Sequence, residues 1–443
     1  MTRSTFRCVT AAALGLAAAA PLQAHAQDIQ SATIEVANRG TAADLLTTTI
    51  ETRSYITTAD VTVPAGVNPN LAPPPSSGSP TGYNDPSLGF NSTQYWAKDA
   101  QYSGVTRLII TYDTRNVTTG VTGTASFLCS GALINAGKSV LTAGHCLNNS
   151  VEGGVEFTLR TVQVQLGQNF GGNTTAEPGA GAPSVNQAFN FVQDVGPDGV
   201  RIHPDYSGSV IDQRDIAVVN LNTPAPSLYR SYELYAGTGI GEEYNVAGWG
   251  GRGNGDLGTV NAAGSTGSGQ RIRQGLNRFD ISYASDKWST AFTNLITGAR
   301  GPQDVYLADF DNGLAANDAL CQLSFATIGG APIWLGTDAE RPCDTGVGIR
   351  EVGSAGGDSG GPSFIGGRVS AVTSFGQTFG TGFFGDVRPG LNSSFGELNG
   401  MTRVDINAGW VNSAVVPEPA TLLLFGVGAA GLAGVAARRR RVS

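Results

Sequence analysis

Three short motifs, which follow one another in a fixed order, carry a histidine, an aspartate and a serine. His145 lies in the motif TAGHC, Asp215 begins the apolar run DIAVV, and Ser359 lies in GGDSGGP. Stretches of 70 and then 144 residues separate them, so the fold must bring distant segments together. A serine hydroxyl becomes a nucleophile when an imidazole takes its proton and a carboxylate orients that imidazole. The motifs therefore predict Ser359 as nucleophile, His145 as base and Asp215 as the orienting acid.

Glycines lie on both sides of Ser359. A turn without side chains lets backbone N–H groups point at one place, where they can stabilise a developing negative charge. We expect the amides of Gly357 and Ser359 to form this oxyanion hole.

Further fragments extend the pattern over roughly 101 to 412: CSGALI before the histidine, IHPDY before the aspartate, VAGWG, SFG, and a late TRV with Trp410. With them the chain resembles the trypsin/chymotrypsin-type serine endopeptidases, whose triad order is also His, Asp, Ser. The resemblance implies an all-β fold of two Greek-key β-barrels with the active site in the cleft between them. His145 and Asp215 would come from the first barrel, about 101–228, and Ser359 from the second, about 229–412. It also implies peptide or protein substrates, an acyl-enzyme intermediate and no cofactor.

Strand-like runs agree with an all-β fold, because they alternate with Gly, Asn and Ser turns instead of helical segments. The clearest runs are Thr106–Thr111, Ser139–Thr142, Thr161–Leu166 and Ile216–Leu221. The gaps between the triad residues are longer than is usual in the family. We expect loops near 170–190, 251–270 and 285–340 to hold the extra length.

Other residues compete for the triad roles. After removal of the N-terminal segment the second histidine is His203, in a fragment that the family uses structurally. Asp205 and Asp212 lie near Asp215 in sequence, but neither precedes a buried strand, and we expect both in solvated loops. Ser354 and Ser363 lack the flanking glycines.

The resemblance assigns the substrate pocket to Gly353, Ser354, Ser374, Phe375 and Gly376. Gly353 would lie at the pocket base, where no carboxylate is present to bind Lys or Arg, so the pocket favours apolar or small side chains through burial. Two features leave the shape of the pocket open. Glu351 could intrude into the pocket, and Ala355 replaces a cysteine that often braces the pocket in this family.

Asp358 would pair, in the family, with a new N-terminal amine after zymogen cleavage. No Ile-Val-Gly-Gly start precedes the first strand of this chain. The bond between Arg107 and Leu108 could be cut, but it lies inside a predicted strand. The partner of Asp358 and the activation step stay open.

The first 26 residues predict a secretory signal peptide, with Arg3 and Arg7, an apolar run over 8–20 and a small-x-small cleavage site at 24–26. Residues 27–100 predict a pro-region or linker, because 64–90 is rich in Pro, Ser, Gly and Asn and cannot bury a core.

Cleavage of the signal peptide would remove Cys8 and leave four cysteines, an even number that suits an oxidising compartment. The resemblance places a disulfide between Cys129 and Cys146, beside the catalytic histidine, and Cys321 with Cys343 is the second predicted disulfide. Unpaired buried thiols are the alternative.

The last segment, 413–443, contains the sequence PEP at 417–419, then 18 apolar residues and four arginines. This order resembles the PEP-CTERM sorting signal of Gram-negative bacteria. The apolar run is just long enough to span a bilayer, and the arginines would keep its end inside. The resemblance implies membrane contact, removal by an exosortase-type processing enzyme, and a final location in the envelope, outside the cell or in the exopolysaccharide matrix. An uncleaved tail anchor is the alternative.

The formal net charge of -8 argues against a nucleic-acid partner, because phosphate binding needs clustered Lys and Arg and the chain has three lysines. Asp304, Asp309 and Asp311 with Asn312 suggest calcium, but their spacing differs from the EF-hand loop, and we predict a solvated loop without a metal. A catalytically silent binding or matrix protein on the same fold is the main rival to an enzyme. A structural adhesin, which would use the long loops, is another.

Overall fold

The computed structural model describes residues 29–37, 54–62, 95, 97, 100–167, 190–208, 211, 213–261, 272–297, 305–379, 385–388 and 390–415. The predicted signal peptide, the Pro-rich part of 27–100, the predicted loop at 170–190 and the apolar part of the tail lie outside these residues. Within the described ranges, no helix is long and apolar enough to cross a membrane.

The first barrel is an antiparallel sheet of eight strands. They are β3 (Val105–Asn116), β4 (Thr122–Ile134), β5 (Ser139–Thr142), β6 (Ser150–Glu152), β7 (Val155–Leu166), β8 (Phe191–Val195), β9 (Val200–Ile202) and β10 (Ala217–Asn220). Their order is β6-β7-β3-β4-β5-β10-β9, with β8 against β7. β3 buries alternate side chains, among them Leu108, Ile110 and Tyr112, as a strand with one face on a core requires.

The second barrel belongs to a sheet of eleven strands. They are β1 (Ile29–Ala37), β2 (Ser54–Thr62), β11 (Glu243–Gly248), β14 (Arg273–Arg278), β15 (Ile281–Ser282), β16 (Val305–Asp309), β17 (Thr327–Ile328), β18 (Ala331–Pro332), β19 (Pro362–Ile365), β20 (Arg368–Thr378) and β21 (Leu398–Arg403). The main order is β14-β11-β19-β20-β1-β2-β17-β18, and β21 joins β20 to β16. A separate hairpin pairs β12 (Arg252–Asn254) with β13 (Gly258–Asn261). The described helices are α1 (Thr290–Thr297), α2 (Ala319–Phe325) and α3 (Ala408–Ala414).

An apolar cluster joins the two barrels. Ile216 and Val218 from the first barrel pack in one cluster with Trp249, Val372 and Val404 from the second. Because burying such side chains removes apolar surface from water, the cluster holds the two halves together. The double-barrel architecture that the sequence predicts is confirmed, and β3, β5, β7 and β10 lie at the four predicted runs.

The expectation of a plain loop over 285–340 is wrong. This stretch contains α1, α2 and three short strands, and Trp288 packs edge-to-face on Trp334 with ring centroids 5.1 Å apart. A disulfide joins Cys321 to Cys343 in the same region. The large aromatic side chains bury enough apolar surface to order the insertion, and the sequence pattern missed them because they are widely spaced.

Candidate active site

His145 and Asp215 meet because neighbouring strands lead into them. β5 pairs with β10 so that Thr142 lies opposite Ala217. His145 comes three residues after β5 ends at Thr142, and Asp215 two residues before β10 begins. The imidazole Nδ1 lies 2.8 Å from Asp215 Oδ2, and the backbone N–H of His145 donates to Asp215 Oδ1 over 2.7 Å. Both residues are fully buried, so this carboxylate holds His145 by two contacts, one to the ring and one to the backbone.

One further hydrogen bond, and the anchored neighbour Arg214, fix Asp215. The hydroxyl of Ser374, on β20, donates to Asp215 Oδ2 over 2.5 Å. The preceding residue, Arg214, has a left-handed φ of 65°, which is unusual for a residue with a side chain. Its guanidinium donates to Asn407 Oδ1 over 2.9 Å, just before α3. The second barrel therefore contributes directly to the position of the acid.

Ser359 lies in a tight turn before β19. Gly357 and Gly360 on either side have φ values of 91° and 76°, a region where a side chain is strained. A Cβ on Gly360 would lie 2.0 Å from the Thr142 hydroxyl. The turn can approach the first barrel only because glycine stands there.

Ser130, on β4, links the turn to the first barrel, and the sequence analysis gave it no role. Its N–H donates to the carbonyl of Ser359 over 2.8 Å, and its hydroxyl donates to the carbonyl of Gly357 over 2.9 Å. The same hydroxyl accepts from the N–H of Trp249 over 2.9 Å. Ser130 lies in the CSGALI fragment, which carries the resemblance but does not by itself predict these contacts.

Asp358 is bound by backbone amides. Gly250 N–H donates to one carboxylate oxygen over 2.8 Å and Ala355 N–H to the other over 3.0 Å. A Cβ on Gly250 would lie 2.5 Å from the carboxyl carbon, which explains the glycine beside Trp249. Burial raises the pKa of Asp358 to about 6, while these amides and Arg273 lower it.

The disulfide between Cys129 and Cys146 is present, with an S–S distance of 2.05 Å. The Cys146 sulfur lies 3.8 Å from His145 Nε2 and 3.8 Å from the carbonyl oxygen of Ser359. Both cysteines are almost fully buried. The disulfide therefore braces the histidine turn against the serine turn.

The predicted pocket residues lie on two segments, the serine turn and β20. Ser354 donates to the Asn399 side-chain oxygen twice, from its N–H over 2.9 Å and from its hydroxyl over 2.6 Å. Asn399, on β21, was missed because it lies 40 residues beyond Ser359. A Cβ on Gly353 would lie 3.0 Å from the Phe310 ring, and one on Gly376 would lie 3.2 Å from Leu391.

Glu351 is turned toward another loop. It is 1% exposed, and its Oε2 accepts from the N–H groups of Asp311 and Asn312 over 2.7 and 3.1 Å.

His203 occupies a structural position. Its ring packs 4.8 Å from the ring of Trp410, and its Nδ1 accepts from the N–H of Asp205 over 3.2 Å. Burial lowers the pKa of His203. Asp205 is exposed, as expected, and Asp212 lies outside the described residues.

The chain matches two family models and one relative among known proteins. The family model described as Trypsin matches residues 111–271, and the PEP-CTERM protein-sorting motif matches residues 415–441. The first match includes His145 and Asp215 and ends before Ser359. The serine protease Hayan of Drosophila melanogaster is 33% identical over 133 residues, which are 29% of this chain and 17% of that relative's length. Over these ranges the chain is similar to a trypsin domain and to a serine protease. The sorting motif implies export to the envelope of a Gram-negative bacterium.

Proposed function

We propose that this chain, which carries a trypsin domain and a PEP-CTERM sorting motif, is an exported serine endopeptidase. The observation that carries the proposal is the buried pair of His145 and Asp215, 2.8 Å apart, with the Ser359 turn docked on the same barrel through Ser130. A buried imidazole held by a carboxylate in this way is what a serine nucleophile needs.

In the proposed reaction Ser359 attacks the carbonyl carbon of the scissile peptide bond while His145 takes the hydroxyl proton. Asp215 holds the imidazole with Nδ1 protonated and stabilises the imidazolium. The imidazolium then gives its proton to the leaving amine, and an acyl-enzyme remains. Water, deprotonated by His145, hydrolyses the ester and restores Ser359.

The oxyanion of each tetrahedral intermediate would be stabilised by the amides of Gly357 and Ser359. Support comes from the turn geometry: the Gly357 carbonyl is bound by the Ser130 hydroxyl, which fixes the orientation of the peptide that follows. Removing one donor from a preorganised oxyanion hole raises the activation free energy by roughly 3 to 4 kcal/mol.

Single substitutions test the triad. Ser359→Ala should lower kcat for hydrolysis of unfolded casein by about six powers of ten, because triad residues act as a unit. Ser363→Ala is a matched control: its hydroxyl is buried and has no hydrogen-bond partner in the described part of the chain, so activity should stay near that of the wild type. Equal activity of both variants would disprove the assignment. Inactive but folded wild-type protein would favour the silent binding protein.

The pocket would accept uncharged side chains. Its proposed base combines Gly353 with the Ser354–Asn399 pair, and Glu351 binds other amides instead of facing the base. A peptide library should therefore give faster cleavage after apolar or small residues than after Arg or Lys. Dominant cleavage after Arg or Lys would disprove the pocket assignment and leave the triad untouched.

The C-terminal motif would direct the exported chain to an exosortase-type enzyme, which removes the tail at or near the PEP sequence. The intact mass of extracellular protein should then lack the residues after 419. Replacing Arg438–Arg441 by neutral residues should impair membrane retention before cleavage, because the charges resist translocation. A full-length species found only in membranes would instead show a permanent anchor.

A further inference from the structure

A second group of carboxyls lies in the second barrel, outside the triad. Asp309 ends β16, Asp311 follows in the next loop, Asp318 caps α2, and Glu351 reaches this loop from the segment before the pocket. All four are at most 3% exposed. The prediction of a solvated loop at Asp309 and Asp311 is therefore wrong, because the insertion that follows encloses it. Asp304 lies outside the described residues.

Oxygen atoms from the three aspartates of this group fit around one small cation. One carboxylate oxygen from each of Asp309, Asp311 and Asp318 lies within 4.8 Å of the others. Calcium binds oxygen at about 2.3 to 2.6 Å, so two ligands on opposite sides of one ion lie about 5 Å apart. The three oxygens can therefore all reach a single calcium ion with little movement.

Backbone amides hold one oxygen of each aspartate. Leu320 N–H donates to Asp309 over 3.1 Å, Cys321 N–H to Asp318 over 2.8 Å, and Gly313 N–H to Asp311 over 2.7 Å. The side chains then face one another, Asp309 against Asp318 and Asp311 against Glu351. Ionised carboxylates only accept hydrogen bonds, so each facing pair needs a proton or a cation between its members.

Unpartnered oxygens on this loop and on α2, which follows it, are a second observation that points to a ligand. Asp311 Oδ2, Asn312 Oδ1 and Gln322 Oε1 are all enclosed, and none has a hydrogen-bond partner among the described residues. Asp311 is 0% exposed, Asn312 7% and Gln322 6%. Buried polar atoms without a partner are rare and destabilising. Here all three are acceptors, and Asp311 belongs to the oxygen cluster itself.

We propose that Asp309, Asp311 and Asp318 bind one calcium ion, with Glu351 beside Asp311 on the same loop. Carboxylate oxygens are hard ligands, and a loop with irregular geometry suits calcium better than magnesium, which requires a near-ideal octahedron at shorter distances. The ion offsets the repulsion of the buried carboxylates, whose burial raises the pKa of Asp309 and Glu351 well above the usual range. It ties the end of β16 to the start of α2, beside Glu351, which lies two residues before Gly353.

Calcium titration of full-length protein, stripped with EDTA and dialysed, tests this proposal without any assay of activity. We expect one ion per chain by calorimetry and a melting temperature that rises with calcium concentration. Asp311→Asn and Asp318→Asn should each weaken calcium binding at least tenfold. Asp286→Asn is the control, since the Asp286 side chain is 87% exposed, and it should bind calcium as the wild type does.

The calcium-free state gives a second readout. Asp311→Asn removes one of two facing carboxylates, so without calcium this variant should melt at or above the wild-type temperature. No calcium-dependent change in wild-type protein would overturn the proposal, as would unchanged binding in both variants. An equal shift with magnesium would contradict the choice of calcium.

A different observation concerns the N-terminal hairpin. β1 and β2 pair over nine residues, and β1 also pairs with β20, with Glu35 opposite Thr378 and Ala37 opposite Gly376. On its other side the hairpin continues through β2 to β17. The segment predicted as a pro-region or linker therefore supplies two strands to the second sheet.

The edge of β20 that pairs with β1 continues along the strand to the turn that carries Ser359. β19 and β21 both pair with β20 at Val372, so they lie on opposite edges, and β21 continues to Gln377. β1 must then lie on the β19 edge. On that edge Gly360 N–H, beside Ser359, donates to the Thr373 carbonyl over 2.7 Å. β1 runs antiparallel to β20 and toward the serine turn.

We further infer, on the basis of the proposed function, that β1 is an intramolecular inhibitor that competes with extended peptide substrates. A peptide that adds a strand to a sheet edge uses the backbone N–H and C=O groups of that edge, and β1 already uses those of residues 376–378. Tethering raises the effective concentration of the segment to the millimolar range or so. Peptide binding then requires β1 to leave.

Proline substitutions in the full chain test the inhibitor. Successive residues of a strand direct their N–H groups to opposite edges, so either Glu35 or Val36 donates toward β20. Glu35→Pro or Val36→Pro should lower KM for a peptide substrate at least tenfold with kcat unchanged. Ala32→Pro is the control in the same strand, because Ala32 pairs with β2 alone, and its KM should match that of the wild type.

Two measurements separate this inference from the proposed function. A fluorophosphonate is small and needs no strand pairing, so it should label all variants at similar rates. If the fluorophosphonate labels both proline variants but their KM equals that of the wild type, β1 is not an inhibitor. If it labels neither the wild type nor any variant, the proposed peptidase function is overturned. Hydrogen exchange on wild-type protein needs no variant: amides at 376–378 should be protected, and rapid exchange there would also refute the inhibitor.

Discussion

The two barrels are built in different ways. The first closes eight strands on one apolar cluster, which contains Leu108, Ile110 and Tyr112. The second has eleven strands, two inserted helices and many buried acids. All described carboxyls that have a pKa raised by burial lie in the second half of the molecule, between residues 256 and 397. They are Asp256, Asp280, Asp309, Asp311, Asp318, Glu351, Asp358, Asp386 and Glu397.

The difference indicates a division of labour. The first barrel is a well-packed frame that sets the histidine and the aspartate within hydrogen-bond distance. The second barrel provides the nucleophile, the pocket and the features that we propose to respond to calcium and to the N-terminal hairpin. Elements with polar interiors have more ways to respond to solution conditions. We therefore expect substitutions of the triad residues and of Ser374 to affect chemistry, and those at the buried acids and the N-terminal hairpin of the second barrel to affect binding and stability.

Within the first barrel the largest effect is expected for Asp215→Asn. An amide would favour the wrong imidazole tautomer, and the same change in triads of this kind lowers kcat by about four powers of ten. The melting temperature should change little, since the amide keeps the size of the carboxyl. Steady-state kinetics on peptide substrates checks this. A loss below tenfold would show that Asp215 does not orient His145.

A smaller loss is expected for Ser374→Ala, which removes the hydrogen bond from the second barrel to Asp215 Oδ2. A hydrogen bond to a charged group contributes about 1.5 to 3 kcal/mol, so kcat should fall by roughly 10- to 100-fold. KM should stay within about threefold if the hydroxyl acts through Asp215 and touches no substrate. A change in KM alone would assign Ser374 to the pocket.

Much of the first barrel could be predicted from sequence, because its strands alternate buried and exposed residues and its two triad residues flank paired strands. The inserted helices and the buried acids of the second barrel could not. Asn399 lies 45 residues along the chain from Ser354, which it contacts, and no local pattern marks it. Ser130 lies in the CSGALI fragment, but its contacts with the serine turn are found only in the structure. Long-range contacts of polar residues leave no periodic signal.

The acids of the second barrel should make stability depend on pH. Burial raises the pKa of Asp386 to about 6, so the folded protein binds this proton more tightly than the unfolded chain. The bound proton therefore adds about 3 kcal/mol to the unfolding free energy. This contribution is complete below about pH 4 and is lost as the pH rises to about 6. In Asp386→Asn this fall should shrink, as denaturant titrations at several pH values can measure. If the unfolding free energy of Asp386→Asn falls with pH as steeply as that of the wild type, the assignment to Asp386 is refuted.

The smallest effect on activity is expected from mild reduction. Cys343 is exposed and Cys321 partly so, whereas Cys129 and Cys146 are at most 5% exposed. Because thiol exchange needs access to sulfur, Cys321–Cys343 should open first, with activity within about twofold of the starting value. Alkylation and peptide mapping identify the opened pair. Earlier opening of Cys129–Cys146 would contradict the difference in packing.

The central claim is that Ser359, activated by His145 and Asp215, is the nucleophile of a serine endopeptidase. Labelling the processed, folded protein with a fluorophosphonate and mapping the modified peptide by mass spectrometry tests it most directly. We expect one label per chain, on Ser359, that forms far more slowly in Asp215→Asn. Folded protein that takes up no label, or a label on another residue with Ser359 unmodified, would contradict the account.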